Sequence, residues 1–177
     1  HVLIQREGCD RFHISNTRVR QARDSRFYSH VLTLDGRLVR NGLECEMTGP
    51  GAEARLDGAF IGGGEQHVEN QTLVVHAAPH CESHELYKGV LGGRSRGVFR
   101  GRVDVRRNAQ KTNATQSNPN LLVTDHAEID SKPQLEIRAD DVKCSHGSTV
   151  GRLDEEALFF LRARGLDETA ARAMLTE

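Results

Sequence analysis

Cysteine and histidine side chains able to bind a soft metal ion lie close together near the end of this sequence. The segment 143–147, KCSHG, places Cys144 and His146 two residues apart. If this segment is a strand, both side chains point to the same face, because strand side chains alternate. Zinc and iron usually take four ligands, so such a pair needs a partner surface to supply the rest. The alternative is a buried cysteine and a hydrogen-bonded histidine without a ligand role.

A second cluster contains His76, His80, Cys81 and His84. These residue types bind zinc or iron, but their spacing matches no established structural zinc pattern. On a strand, His80 and His84 would share a face while Cys81 would face away. We treat His80, Cys81 and His84 as weaker metal candidates. The alternative places them on turns and inner faces of a β-coil.

Signatures of catalysis are missing from the sequence. The glycines at 62–64 are not followed by Lys and Ser or Thr, so they do not form a Walker-type phosphate loop. A Gly-x-Ser-x-Gly nucleophile elbow does not occur. The adjacent acids Asp140 and Asp141 would face opposite ways on a strand, unlike the paired carboxylates of a glycosidase. The sequence therefore predicts no catalytic residues.

Composition narrows the function further. The net charge is −1, which does not favour a nucleic-acid partner. The four cysteines are widely spaced and include no Cys-x-x-Cys pair, so we expect no disulfide framework. We therefore expect the protein to lie in a reducing cytoplasm. The sequence also lacks a run of the ~20 apolar residues that span a bilayer, so we expect no membrane insertion.

Short strands are the elements predicted to position these residues. Leu43, Cys45 and Met47 alternate with Glu44 and Glu46, which is the period of a half-buried strand. Similar segments follow at 52–60, 68–76, 98–105, 121–123 and 135–137. A helical pattern does not appear before residue 153, which argues against a doubly wound α/β sheet.

Two β architectures remain, an antiparallel sandwich and a solenoid of stacked β-coils. The strands are short and numerous, and small polar residues separate them at loosely regular intervals. The segment 109–116 is typical of polar ladders on stacked coils. These features favour the solenoid, although the repeat is too degenerate to prove it from periodicity.

The end of the chain changes to a helical pattern. Asp154 is a suitable N-cap, and Leu158, Phe159 and Leu161 predict an apolar stripe. Gly165 lies where a helix C-cap belongs, and a second helix should begin near 166–167. We therefore predict a β core over residues 1–152 and a helical segment over 153–177, which we expect to be truncated.

Beyond these patterns, several segments resemble SufD-type proteins of iron–sulfur cluster assembly. The similarity is ordered along the chain over roughly residues 67–175 and is weaker before that. Its segments are 85–91, 96–103, 109–114, 120–122, 128–137, 140–147 and 151–165. In the related SufB-type proteins a His-Glu pair stands where this chain has His146 and Gly147, so the resemblance favours the SufD type.

The resemblance implies a right-handed parallel β-helix followed by a helical domain. It also implies a scaffold without turnover, paired with a SufB-type scaffold and bound to a SufC-type ABC ATPase. In such proteins the scaffolds pair through the C-terminal ends of their β-helices. His146 would face that interface with Cys144 beside it, and a transient iron–sulfur cluster would be shared there rather than held as a tightly bound cofactor.

Further expectations concern partners and alternatives. The helical segment would contact the ATPase, with Leu158, Phe159, Leu161 and Arg162 as candidates. In isolation the chain would form a homodimer through its exposed end, because unpaired strand edges associate. The alternative functions are a purely architectural partner, a SufB-type scaffold and a carbohydrate-active β-solenoid.

Overall fold

A computed structural model describes residues 1–176 as eleven β-strands followed by two α-helices. The strands are β1 (Val2–Gln5), β2 (Phe12–Gln21), β3 (Arg26–Thr33), β4 (Leu38–Met47), β5 (Glu53–Gly62), β6 (His67–His76), β7 (Glu82–Leu91), β8 (Arg96–Val105), β9 (Asn113–Leu122), β10 (Glu128–Ile137) and β11 (Lys143–Arg152). The helices are α1 (Glu155–Ala163) and α2 (Glu168–Thr176).

Odd-numbered and even-numbered strands form two separate parallel sheets. One sheet has the order β1-β3-β5-β7-β9-β11 and the other β2-β4-β6-β8-β10. Each turn of the chain adds one strand to each sheet, so the strands build a β-solenoid of about five turns. The predicted solenoid followed by helices is confirmed, and the antiparallel sandwich is excluded because the strand pairs are parallel.

The core lies between the two sheets and follows the predicted period of two. Leu43, Cys45 and Met47 are buried, whereas Glu44 and Glu46 face outward. Inward-facing apolar residues form two clusters, a larger one around Leu56 and a smaller one around Phe60. Polar side chains that point inward are also buried, among them Asn41, Asn70, Thr72, Glu85, Gln116, Asn118 and Asn120. The solenoid therefore contains hydrogen-bonding groups within an otherwise apolar interior.

One corner of each turn has a residue in the left-handed backbone region. Asp24, Gly51, His80 and Lys111 all have positive φ angles. The amide of each donates to a carbonyl of the next turn, as in His80 N to Gln110 O at 2.9 Å. These bonds connect successive turns along the corner, so His80 occupies a repeated turn position.

Helix α1 begins and ends where the sequence predicts, and α2 begins within two residues of the predicted position. Asp154 caps α1 by accepting hydrogen bonds from the amides of Glu156 and Ala157, and Gly165 follows the helix with a φ of 91°. The predicted apolar stripe is only partly correct: Leu158 is buried, but Phe159 is 75% exposed. The predicted segment 153–177 ends at Glu177, which lies outside the described residues.

Candidate functional site

The C-terminal end of the solenoid is an uncovered cross-section of its interior. Within residues 1–176, β11 pairs with β9 and β10 pairs with β8, and the other edge of each strand is unpaired. Equivalent inward positions on the preceding strands β8 and β9 are buried, whereas here they are half-buried or exposed. We call this surface the open end; its residues are Ile129, Ser131, Pro133, Leu135, Cys144, His146, Ser148 and Val150.

Cys144 and His146 occupy the same face of β11, as the sequence predicts for a strand. Cys144 pairs with Ala114 and His146 pairs with Gln116, and both partners on β9 are buried. Cys144 is half-buried and packs against the larger apolar cluster, while His146 is exposed. Burial raises the pKa of the Cys144 thiol, so binding a metal there must displace a proton.

Serine hydroxyl groups join the two strands of the open end. Ser148 Oγ donates to Ser131 Oγ at 2.7 Å, and Ser131 Oγ donates to Asn118 Oδ1 at 2.6 Å. Ser148 Oγ also lies 3.1 Å from the carbonyl oxygen of Asn118. This network connects β10, β11 and β9, so it holds the strand that carries Cys144 and His146 in register.

A buried acid and amide lie directly behind His146, and the sequence reasoning missed both. Glu85 pairs with Gln116 on the neighbouring strand, and Gln116 pairs with His146. Burial raises the pKa of Glu85 to about 7. The alternation of β7 could have revealed this, because Ser83 and Tyr87 are inward residues that flank Glu85 by two positions.

The weaker metal candidates are not brought together. His80 is exposed at its corner turn, and Cys81 points into the core with its Sγ 3.4 Å from the carbonyl oxygen of Gly49. His84 lies on the outer face of β7, where its Nδ1 contacts Thr115 Oγ1. These three side chains therefore lie at a corner, in the core and on the outer face of β7, and they do not converge on one site.

His76, the remaining member of that cluster, is a core residue. Its Nε2 lies 2.8 Å from Ser83 Oγ, and both side chains are buried. Burial lowers the pKa of His76 to about 4, so the ring is neutral at physiological pH. A buried, neutral and hydrogen-bonded imidazole serves packing rather than metal binding from solvent.

The helical candidates differ in exposure. Leu158 is buried and Leu161 is half-buried, whereas Phe159 and Arg162 are exposed. Phe160 is also exposed, and the guanidinium of Arg164 lies 3.5 Å from the centre of its ring. An exposed pair of phenylalanines is unusual for a short helix on a monomer and is suited to a protein contact.

Two further observations limit the chemistry of the chain. Across residues 1–176, no three His, Cys, Asp or Glu side chains are grouped so that they could hold a metal ion. None of the helices in this part of the chain is long and apolar enough to cross a membrane. Cys144 and His146 therefore form at most part of a ligand set within the described structure.

Comparison with known proteins places these features in a family. Residues 1–177 match the SufBD core domain of the SUF system for FeS cluster assembly. The iron–sulfur cluster assembly protein SufD of Escherichia coli is 35% identical over 99% of this chain and 41% of its own length. A SufBD family protein of Synechocystis is 34% identical over 100% of this chain and 39% of its own length.

A plant relative gives the same result. The chloroplastic protein ABCI7 of Arabidopsis thaliana is 36% identical over 99% of this chain and 38% of its own length. The chain thus spans about two fifths of the length of these curated relatives. Because the core domain matches throughout and the identity exceeds 30% over nearly the whole chain, the chain belongs to the SufBD family of SUF-system iron–sulfur cluster assembly proteins.

Proposed function

We propose that the chain is a SufD-type scaffold without turnover that offers Cys144 and His146 to a shared iron–sulfur cluster. A SufB-type scaffold would dock on the open end and supply the missing ligands. The cluster would be cargo, assembled at the interface and passed on, and not a resident cofactor. The setting that fits a free thiol at this position is a reducing compartment such as the cytoplasm.

The observation that carries this proposal is the position of the two side chains on an uncovered cross-section. Cys144 and His146 share one face of an edge strand, and that face would be core if another turn followed. Edge strands with free N–H and C=O groups readily pair with another chain. A partner strand placed there would bring its own inward-facing side chains next to these two.

The half-buried state of Cys144 is also suited to a transient site. Because the pKa of this thiol is raised, a proton competes with the metal, and the chain alone should bind metal weakly at neutral pH. Additional ligands from a partner would shift this competition toward the bound state. Cluster binding would then depend on assembly of the two scaffolds.

The helical segment would provide the contact to a SufC-type ABC ATPase. Phe159 and Arg162 are exposed on α1, and Leu158 and Leu161 hold that helix in place. Exposed aromatic and arginine side chains are the residue types that contribute most at protein interfaces. The ATPase would thereby be linked to the strand that precedes α1, which is β11.

Native mass spectrometry of the chain with a SufB-type partner, iron and sulfide under anaerobic conditions tests the proposal. We expect a heterodimer that contains iron and sulfide, and we expect His146→Ala and Cys144→Ser to lose most of the cluster but keep the heterodimer. Ser145→Ala is the matched control, because Ser145 faces outward between them. Retention of the full cluster in both His146→Ala and Cys144→Ser would contradict the proposal.

A purely architectural role is the second candidate. It is favoured by the Ser131–Ser148–Asn118 hydrogen bonds, which order the open end without any metal. Under this role, His146→Ala would weaken heterodimer formation and no variant would change cluster content. Light scattering of the isolated chain adds a separate test, since the open end predicts a homodimer when no partner is present.

A further inference from the structure

Three inward-facing polar side chains form a row that leads from the core to the open end. Glu85 on β7, Gln116 on β9 and His146 on β11 are aligned by the parallel register of three neighbouring strands. Strands in a sheet lie about 4.8 Å apart, so aligned side chains on one face are in contact range. Gln116 therefore lies between a buried carboxyl group and the imidazole of the open end.

The amide of Gln116 has a defined orientation. Its Nε2 donates a hydrogen bond to Glu85 Oε2, and the two side chains are 2% and 1% exposed. Because the NH₂ group of the amide is the donor to this carboxyl oxygen, it faces Glu85. The Gln116 carbonyl oxygen is consequently directed away from Glu85.

That carbonyl oxygen is a buried acceptor without a partner among the described residues. Buried acceptors in native proteins are almost always satisfied, and an exception points to a specific role. The neighbouring side chain on the far side from Glu85 is His146, whose ring nitrogens can donate. The row thus places a possible donor next in register to an acceptor that makes no hydrogen bond among residues 1–176.

Packing around Gln116 leaves little freedom for its side chain. A Cβ atom on Gly101, in the opposite sheet, would lie 2.3 Å from Gln116 Nε2 and 2.7 Å from the ring of Phe99. The amide therefore fills the space that the glycine leaves open. Because Glu85 and Gly101 fix its position, Gln116 can impose an orientation on a neighbour.

We propose that Glu85 and Gln116 are positioning residues for His146: the Gln116 carbonyl oxygen accepts a hydrogen bond from one ring N–H and leaves the other ring nitrogen directed toward the open end. This inference rests on the proposed function, in which His146 is a cluster ligand. Metal-binding histidines usually donate their second N–H to a carbonyl or carboxylate, which fixes the tautomer and the ring plane. An exposed imidazole would thereby be oriented before any partner arrives.

Two substitutions separate this role from general stability. Gln116→Met removes the carbonyl oxygen with a similar side-chain length, and Glu85→Gln keeps the shape but no longer dictates which end of the amide faces His146. Thr33→Val is the matched control, because it alters a buried hydrogen bond at the other end of the solenoid. Thermal melting confirms that each variant folds before it is compared.

Ring order of His146 is the decisive measurement, taken by ¹³C relaxation on the isolated full chain without metal, at a concentration where light scattering shows a monomer. We expect the ring order parameter to be equally high in the wild type and Thr33→Val, and to fall below about 0.6 in Gln116→Met. Glu85→Gln should give an intermediate value. Equal order in all four proteins would overturn the inference, whatever the cluster content.

Cluster content of the heterodimer then tests the two proposals separately. If Gln116→Met loosens the ring and lowers cluster content while Thr33→Val does neither, both proposals are supported. If the ring loosens but cluster content is unchanged, positioning by Gln116 stands and the ligand role of His146 fails. If cluster content depends on His146 but the ring order is the same in the wild type and Gln116→Met, the ligand role stands and the positioning role is wrong.

Discussion

Two buried polar clusters in the same solenoid differ in how completely their side chains are hydrogen-bonded. Near the N-terminus, Gln5, Thr33, Asn41 and Asn70 form what we call the amide network. Gln5 and Asn41 exchange two hydrogen bonds of 3.0 Å, Thr33 donates to Gln5, and Asn41 donates to Asn70. Every side-chain oxygen of this network is therefore paired with a neutral partner.

The second cluster lies near the open end and is incomplete by comparison. Glu85 Oε1, Gln116 Oε1 and Thr72 Oγ1 are buried without hydrogen-bond partners in the described chain. Burial also holds the pKa of Glu85 at about 7, far above that of an exposed acid. A neutral closed network contributes to stability, whereas a charged and open one costs stability and is retained where a function uses it.

Removing the centre of the amide network should have the largest effect. Asn41→Ala leaves Gln5 Nε2 and Asn70 Oδ1 buried without their hydrogen-bond partner, so we expect the free energy of unfolding to fall by about 4 kcal/mol. Urea denaturation measures this change. Asn16→Ala, on the exposed face of the neighbouring strand, is the control and should cost less than about 0.5 kcal/mol. Equal costs for the two variants would show that the network does not stabilise the fold.

Removing the charge of Glu85 should raise stability at alkaline pH. The pKa of Glu85 is raised from 4.5 to about 7 in the folded chain, so the folded state holds a proton that the unfolded state has lost. Stability should therefore fall as pH rises from about 4.5 to about 7 and then level off. Glu85→Gln should be more stable than wild type at pH 8 by on the order of 3 kcal/mol, and nearly equal at pH 4.5.

The neighbours of Glu85 do not obscure this comparison. Burial raises the pKa of Cys45 to about 12 and that of Tyr87 higher still, so both remain neutral over the range. Burial lowers the pKa of His76 to about 4, so the folded state loses stability as the pH falls below about 6.5. This loss is the same in the wild type and Glu85→Gln, so it does not affect the difference between them. Chemical denaturation at several pH values measures the difference. A constant difference from pH 4.5 to 8 would mean that Glu85 is not protonated by burial.

Filling the space beside Gln116 should have a smaller cost. In Gly101→Ala the new methyl group meets Gln116 and Phe99, so we expect a loss of about 2 kcal/mol and a more mobile His146 ring. Gly147→Ala is the matched control, because a Cβ there meets nothing within 4 Å although it adjoins His146. Thermal unfolding and ring relaxation of both variants measure the contrast. Comparable effects at the two positions would show that the space beside Gly101 has no special influence on Gln116 and His146.

Most of the fold was predictable because its signals are local. The alternation at Leu43, Cys45 and Met47 and the cap at Asp154 depend on neighbours in sequence, and both predictions are confirmed. The placement of Cys144 and His146 on one strand face is equally local. Their role as cluster ligands stays a prediction.

What the sequence did not reveal depends on contacts between turns of the solenoid. Gln116 lies behind His146 because the register aligns strands that are about 30 residues apart, and nothing in either segment alone shows this. The sequence left His80 open between a metal ligand and a turn residue, and backbone hydrogen bonds to the adjacent turn place it at a corner. Phe159 is exposed because α1 packs through Leu158, a choice set by tertiary contacts.

The smallest effect should come from a matched pair of threonines, one in each cluster. Thr33 and Thr72 are both buried, and Thr33 Oγ1 donates to Gln5 at 2.6 Å. Thr72 Oγ1 makes no hydrogen bond of normal geometry among residues 1–176, although it lies near enough to Glu85 to lower the pKa of that acid. Thr→Val keeps the shape and removes the hydroxyl group. We expect Thr33→Val to cost about 1 kcal/mol and Thr72→Val to be neutral or slightly stabilising, because only the first breaks a hydrogen bond.

Urea denaturation of the two valine variants in parallel, at the pH where Glu85 is protonated, measures this difference. At pH 5 the charge of Glu85 is absent in the folded state, so the hydroxyl groups alone are compared. If Thr72→Val costs as much as Thr33→Val, Thr72 donates to Glu85 or Gln116 and the second cluster is closed like the first. A bond from Thr72 to Gln116 would use the acceptor that we assign to His146, so the contrast between a structural network and one directed at His146 would disappear. A bond from Thr72 to Glu85 would leave that acceptor free.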